Sequence, residues 1–389
     1  MSRRPRVTGY QGTRDRWTGR TLGIAVDTEP APGWLQRFSA WRELAGPPPV
    51  VNGDARPLRV LQLTNMYPSL ERPNWGVFVR SQVDSLAAFG VASDVLDIEG
   101  WRRRSHYLRA LLALPLRVRG VGYDLLHVHF GWNLFACVGV RNLPLVVSFC
   151  GSDYWGHSGQ GGRRDIASRS LARLSRFAAR RAQAIIVKSA DMAAGFGAAD
   201  ARVQVIANGL DFEVFEPGPV LPARQQLGWP AGRQILLFPA NPADPRKNFA
   251  LACEVESRLQ ARGRPVTLVP MYGRPQADIV MAMRGADVLL SCSHQEGSPN
   301  TVKEAMAMNL PVVASDVGDC ADRLRGCHPG AVVSHDADAF TAAVAAVLDA
   351  GQRSNGRSMA SALDISSTAR RLSGVYRQAI DVFAAQRSR

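Results

Sequence analysis

The chain has 389 residues, enough for two α/β domains with a core each. Its formal charge of +14, carried by arginine more than lysine, calls for an anionic partner: a phosphate-bearing substrate, a membrane surface or nucleic acid. Six scattered cysteines make no CxxC pair or zinc-like spacing, no apolar run is long enough for a membrane span, and the basic start has no apolar stretch after it, which argues against a disulfide scaffold, a zinc module, a spanning protein and a signal peptide.

Residues 1–56 are polar, arginine-bearing and broken by PAPG and GPPPVVNG, and read as an extension or a surface adapter, with Trp34, Phe38 and Trp41 as a small apolar stripe. The first strand is Leu58 to Leu63; a loop then leads through Gly76 into a helix near Val77, the opening of a parallel α/β domain. A short strand over 91–98 precedes a segment in which Arg102, Arg103, Arg104, Arg109, Arg117 and Arg119 surround Leu108, Leu111, Leu112 and Leu114. That pattern suits either a helix lying on an anionic leaflet or a surface helix packed on the sheet. Strands Tyr123 to His129 and Leu145 to Phe149 end at FGWN and CGSDYWG. Ligands gather at the carboxyl ends of parallel strands, so His129 and Asp153 are cleft candidates on the acceptor side, while His127 reads equally well as structural.

The arginine-rich stretch 161–181 reads as helix and Ala184 to Val187 as strand. Residues 203–215 close the first domain, and PGPVLPA places a hinge at 216–225. The second domain opens with Ile235 to Phe238, followed by a loop holding Arg246 and Lys247 and then a helix. Strands at 266–271 and 286–291 follow, separated by the segment Arg274 to Ile279. Nothing resembles a helix-turn-helix, RRM or zinc finger, and aromatics do not alternate with the basic residues, so nucleic acid is not the expected partner.

The stretch HQEGSPNTVKEAMAMNLPVVASDVGD, residues 294–319, carries the chemistry. Gly297 and Ser298 form a turn before Asn300, a candidate helix cap, and the first turn after it has unpaired N–H groups suited to a diphosphate. Glu296 precedes that terminus and Glu304 sits one turn inside. Carboxylates beside a phosphate make sense if they accept from hydroxyls, and a sugar nucleotide supplies a ribose on one side and a hexose on the other.

Two glutamates separated by seven residues, here Glu296 and Glu304, make the segment resemble the donor site of retaining GT-B glycosyltransferases of family 4, of the bacterial polysaccharide-assembly type. The resemblance extends over roughly 58–385. It implies an α/β GT-B fold: an N-terminal Rossmann-like acceptor domain (57–215), a C-terminal Rossmann-like donor domain (216–370) and a final helix (371–389) crossing back onto the first. It further implies that Glu296 binds the transferred sugar, Glu304 the ribose, and the amides around Asn300, Thr301 and Val302 the diphosphate. Lys247, with Arg246 beside it, would neutralise that diphosphate, the Gly76 loop would approach it across the cleft, and Arg274 to Ile279 would pass the base.

The sequence departs from the family at several points. It has one glycine at Gly76 where many relatives have two, Cys150 where relatives often have histidine, Ala207 in place of proline, and a different arginine spacing near Lys247. The implied reaction is transfer of a hexose from a nucleotide sugar, by default UDP-linked, to a hydroxyl acceptor that is lipid-linked or a polysaccharide precursor, without a metal or other cofactor. The expected location is the cytoplasm or the inner face of the cytoplasmic membrane. Alternatives are transfer to a small metabolite or antibiotic, a sugar-nucleotide epimerase of the same fold, and a non-catalytic protein binding anionic membranes or nucleic acid.

Overall fold

A computed structural model of the chain describes residues 42–45 (backbone only), 56–156, 165–197, 200–230 and 232–388. The stripe of Trp34, Phe38 and Trp41 and the start of the 161–181 stretch lie outside the described residues. The first sheet contains β1 (Arg42–Ala45), β2 (Leu58–Thr64), β3 (Val91–Asp97), β4 (Leu125–His129), β5 (Leu145–Ser148), β6 (Ala184–Val187) and β7 (Val203–Val205). The second contains β8 (Gln234–Phe238), β9 (Val266–Pro270), β10 (Val288–Ser291), β11 (Val312–Ser315) and β12 (Ala331–Val333). The longer helices are α1 (Val77–Leu86), α2 (Ser105–Val121), α3 (Ile166–Ala178), α4 (Val220–Leu227), α5 (Phe249–Ala261), α6 (Gln276–Gly285), α7 (Asn300–Ala307), α8 (Ala337–Ala350) and α9 (Ile365–Arg387).

Strand order is β1-β3-β2-β4-β5-β6-β7 in one sheet and β12-β11-β10-β8-β9 in the other. Among the described strands only β1 is antiparallel; it pairs with β3, so the segment read as an extension contributes an edge strand. Strands β4, β5, β6, β10 and β11 are buried at every position, as expected for parallel strands covered on both faces. The order turns back at β2 in the first sheet and at β8 in the second. Loops leaving the carboxyl ends of β8 and β10 therefore diverge around a crevice, as do those leaving β2 and β4.

One face of the first sheet packs Leu61, Val128 and Val147 with Ala110, Leu114 and Val118 of α2. The other face packs Val60, Leu125 and Val146 with Leu372, Val375 and Tyr376 of α9, so the last helix lies on the first sheet. It begins at Ile365 rather than 371, because Asp364 caps it by accepting from Ser366 N at 2.9 Å. The stretch read as a linker is helical from Val220, as α4. Two crossings join the sheets and are zipped together: Leu210 N donates to Leu363 O at 2.8 Å and Ile365 N to Leu210 O at 2.9 Å.

A polar seam lies under α9. Gln62 Nε2 donates to the Tyr376 hydroxyl (3.3 Å), which then donates to His127 Nδ1 (2.6 Å); this leaves His127 Nε2–H to donate to Ser148 Oγ (2.8 Å). Tyr376→Phe strands His127 Nδ1 in a closed interior. It is expected to cost about 1–3 kcal/mol, read as a lower denaturant midpoint with an unchanged m-value.

Candidate active site

After β8, Asp244 Oδ1 accepts from Arg246 N (3.0 Å) and starts a single helical turn, Pro245–Lys247, closed by Asn248 at φ 53°. That turn aims two cations at the loop after β10. Arg246 Nη1 lies 2.9 Å and Lys247 Nζ 2.6 Å from the same oxygen, Oε1 of Glu296. Arg246 also donates to Gln295 O at 3.1 Å and pairs with Asp244 at 3.2 Å, which fixes its plane. Burial pushes the Glu296 carboxyl up, but Lys247 and then Arg246 outweigh it and hold the group at about 2. Glu296 is thus ionised throughout the physiological range.

From Glu296 the chain turns through Gly297 and Ser298 into α7. The cap position belongs to Pro299, and Asn300 is the first helical residue. The expectation that Asn300 caps the helix fails because its Oδ1 is engaged elsewhere, accepting from Asn208 Nδ2 at 3.2 Å on the crossing from the first domain. Among the described residues the N–H groups of Asn300, Thr301 and Val302 have no acceptor, and Ser298 Oγ is buried without a partner. This end of α7 therefore presents several unspent donors and the positive end of the helix dipole. The Val302 side chain is fully buried in the core, so only its backbone faces the terminus. Glu304, one turn in, is partly buried and its carboxyl makes no hydrogen bond among the described residues; burial raises that carboxyl from 4.5 to about 7, against a smaller opposing pull from Lys303.

Close backbone approach explains the glycines. A Cβ on Gly297 would lie 3.1 Å from Met192 Sδ and 3.4 Å from Cys150 O, so the loop is pressed against the β5 tip of the first domain. Gly318, at φ 58°, backs the same loop; a Cβ there would lie 2.5 Å from Gly297 O. In the first domain Gly76 starts α1 at φ 72°, where a Cβ would meet Met66 O at 2.2 Å. Gly76→Ala is expected to lower stability by about 1–3 kcal/mol, checked by thermal melting. Two residues earlier, the Asn74 side chain donates to Arg274 O and ties this loop to the second domain. Arg274 is exposed, and Ile279 packs its side chain into the second-domain core.

His129 and Asp153 do not face the cleft. His129 is 1 % exposed, and its Nε2–H donates to Gln62 Oε1 at 2.9 Å. Burial, with Lys188 nearby, lowers its imidazole to about 3, so it is neutral. Asp153 is fully buried and accepts from Gly131 N (2.6 Å), Cys150 N (2.9 Å) and Gly151 N (2.8 Å). It braces the β4 and β5 tips together. Burial pushes the Cys150 thiol to about 12, so it is no nucleophile.

The site also contains residues that were not singled out from sequence. Lys303 is 1 % exposed and donates to Asn208 O at 3.1 Å, while Lys188, 3 % exposed, reaches Ile206 O at 3.4 Å. From opposite domains the two lysines grip neighbouring carbonyls of one crossing. A lysine on the buried face of the Ala/Met helix was the available signal for Lys303. No group of three or more potential metal ligands occurs among the described residues.

Two family models match the chain: "Glycosyltransferase Family 4" over residues 76–214 and "Glycosyl transferases group 1" over 239–350. Among curated proteins, a D-inositol 3-phosphate glycosyltransferase of Thermobispora bispora is 26% identical over 219 residues, covering 46% of this chain and 51% of the relative. D-inositol 3-phosphate glycosyltransferase 2 of Catenulispora acidiphila is 28% identical over 234 residues, 50% of this chain and 55% of the relative. The match thus spans about half the length of these curated relatives. Among solved structures, a sucrose-phosphate synthase of Thermosynechococcus elongatus superposes with a TM-score of 0.67 at 20% identity, covering 84% of this chain and 100% of the other. HepE of Anabaena, in complex with UDP-glucose, gives 0.53 at 16% identity, covering 85% and 99%. These likenesses show the fold.

Proposed function

Because the chain belongs to glycosyltransferase family 4 and has the GT-B fold, we propose that it moves a hexose from a UDP-sugar to a hydroxyl of a lipid-linked or polysaccharide-precursor acceptor, with retention at the anomeric carbon. The observation that carries this reading is the arrangement around α7. Its open N-terminus has Glu296 with two cations ahead of it and Glu304 one turn behind. In this reading residues 57–215 form the acceptor half and 216–370 the donor half.

The diphosphate lies on the amides of Asn300, Thr301 and Val302, with Gly297 and Ser298 lining its approach. Glu304 accepts from the ribose, and Glu296 accepts from hydroxyls of the hexose. Lys247 and Arg246 then meet the charge that develops on the leaving diphosphate. The Gly76 loop closes from the first domain, and the backbone between Arg274 and Ile279 flanks the base. Glu296 stays ionised and so also favours positive character at the anomeric carbon.

Retention fits the state of the two acceptor-side candidates, neither of which is free to act as a base. Asp153 spends its oxygens on three N–H groups, and His129 is enclosed. The departing phosphate oxygen is left to take the acceptor proton on the same face. This differs from a glycosidase, where two carboxyls divide acid and base work.

A second reading rests on the curated relatives, named for D-inositol 3-phosphate: a small phosphorylated polyol as acceptor. Both readings put an anionic acceptor on the basic first domain. Release of UDP from UDP-glucose and UDP-N-acetylglucosamine, measured with a polyprenyl-diphosphate sugar and with inositol phosphate, separates them. An α-linked product by NMR supports retention; a β-linked product rejects it.

A further inference from the structure

Two helices on the first domain share one unusual face. Leu108, Leu112 and Leu116 of α2 stand 59%, 60% and 44% exposed, one per turn along a single stripe. Ile166, Leu174 and Phe177 of α3 stand 78%, 55% and 66% exposed, also along one side. The turn between them joins the two stripes. Val138 is 51% exposed there, Gly139 packs so closely on α2 that a Cβ would lie 2.6 Å from Pro115 Cγ, and Arg181, just past α3, donates to Val138 O at 3.4 Å. Leucines and a phenylalanine exposed at helical spacing on two helices packed about one turn read as an interaction surface rather than scattered surface residues.

Its charge identifies the partner. Neither α2 nor α3 contains an acidic residue. Arg103, Arg104, Arg109, Arg119, Arg169 and Arg173 make no ion pair among the described residues. Arg180 lies over the Phe177 ring at 5.2 Å, an aromatic with a cation able to snorkel beside it. A second copy of this face would set arginine against arginine. Nucleic acid would satisfy the charge but leave the leucines against a polar backbone.

We propose that α2 and α3 together dock this protein on an anionic lipid leaflet, the apolar stripes entering the acyl boundary and the arginines meeting headgroups. This extends the lipid-linked reading of the acceptor, yet its evidence is independent of turnover. From sequence only the α2 segment was a candidate; the partner stripe on α3 emerges when the chain folds.

The test is co-sedimentation of the full chain with vesicles of equal parts phosphatidylglycerol and phosphatidylcholine, and with phosphatidylcholine alone. Binding is expected only to the anionic vesicles, weakening as salt is raised. The Leu112→Ser/Phe177→Ser double variant should partition at least about tenfold less, since two inserted side chains are lost. Leu221→Ser, at a still more exposed leucine on α4, should bind as the parent does. Retained UDP binding shows that the double variant is folded. Absence of binding to anionic vesicles, or equal binding by parent and double variant, would overturn the proposal. So would a double variant that turns a dimer into a monomer without changing vesicle binding, which would make the face an interface between copies. Turnover on a soluble acceptor with no vesicle binding would refute the docking alone and leave the transferase reading standing.

Discussion

Lys247→Met is expected to lower kcat by about 10²–10³-fold, the usual cost of removing one preorganised charge that meets a developing anion. Lys247 Nζ shares Glu296 Oε1 with Arg246, so the variant leaves the carboxylate paired and the loop in place. Stability should change little, which keeps the kinetic effect interpretable. The loss belongs in kcat more than KM because the charge on the leaving diphosphate grows as the glycosidic bond breaks. UDP release under saturating donor reads this out, with melting temperatures as the control. A kcat close to that of the parent would make the Lys247–Glu296 pair structural and remove Lys247 from leaving-group stabilisation.

Glu304→Gln should act in opposite directions on binding and on stability. The carboxyl is partly buried without a hydrogen-bond partner among the described residues, and burial raises it from 4.5 to about 7. A raised acid holds its proton more tightly folded than unfolded. Its contribution to stability is complete below about pH 4.5 and is lost as pH rises through 7. Glutamine does not titrate, so relative to the parent the variant should gain about 1–3 kcal/mol between pH 5 and pH 8. Donor affinity should meanwhile fall about 10–100-fold, because the ribose loses an anionic acceptor. In the parent, donor affinity should rise from pH 6 to pH 8 as Glu304 ionises; in the variant that rise should be gone. Melting curves and donor titrations at both pH values check each part. A variant that is less stable at pH 8, or that keeps the parent's pH dependence, contradicts the role given to Glu304.

The buried strands were readable because β5, β10 and β11 are short, mostly aliphatic runs of the kind that fill a parallel sheet covered on both faces. The donor segment was readable because glycine, a turn and two glutamates fall at fixed offsets around one helix start. Long-range contacts were not. His129 does lie at a strand end, but strand alternation does not reveal that Gln62, itself tied to Tyr376 of α9, receives its Nε2–H and encloses it. Asn300 looks like a helix cap in isolation, and its partner Asn208 comes from the other domain. Lys303 disappears into an apolar helix face because a backbone carbonyl on the crossing receives it. In each case local physics gave the group, and a partner distant in sequence gave its role.

The most direct test is calorimetric titration of the full chain with a panel of UDP- and GDP-sugars, beside Glu304→Ala. The account predicts that one UDP-sugar binds with a Kd on the order of micromolar and that the variant loses this binding while staying folded. A folded protein that binds no sugar nucleotide in the panel, or a variant that binds as well as the parent, would contradict the donor site at α7.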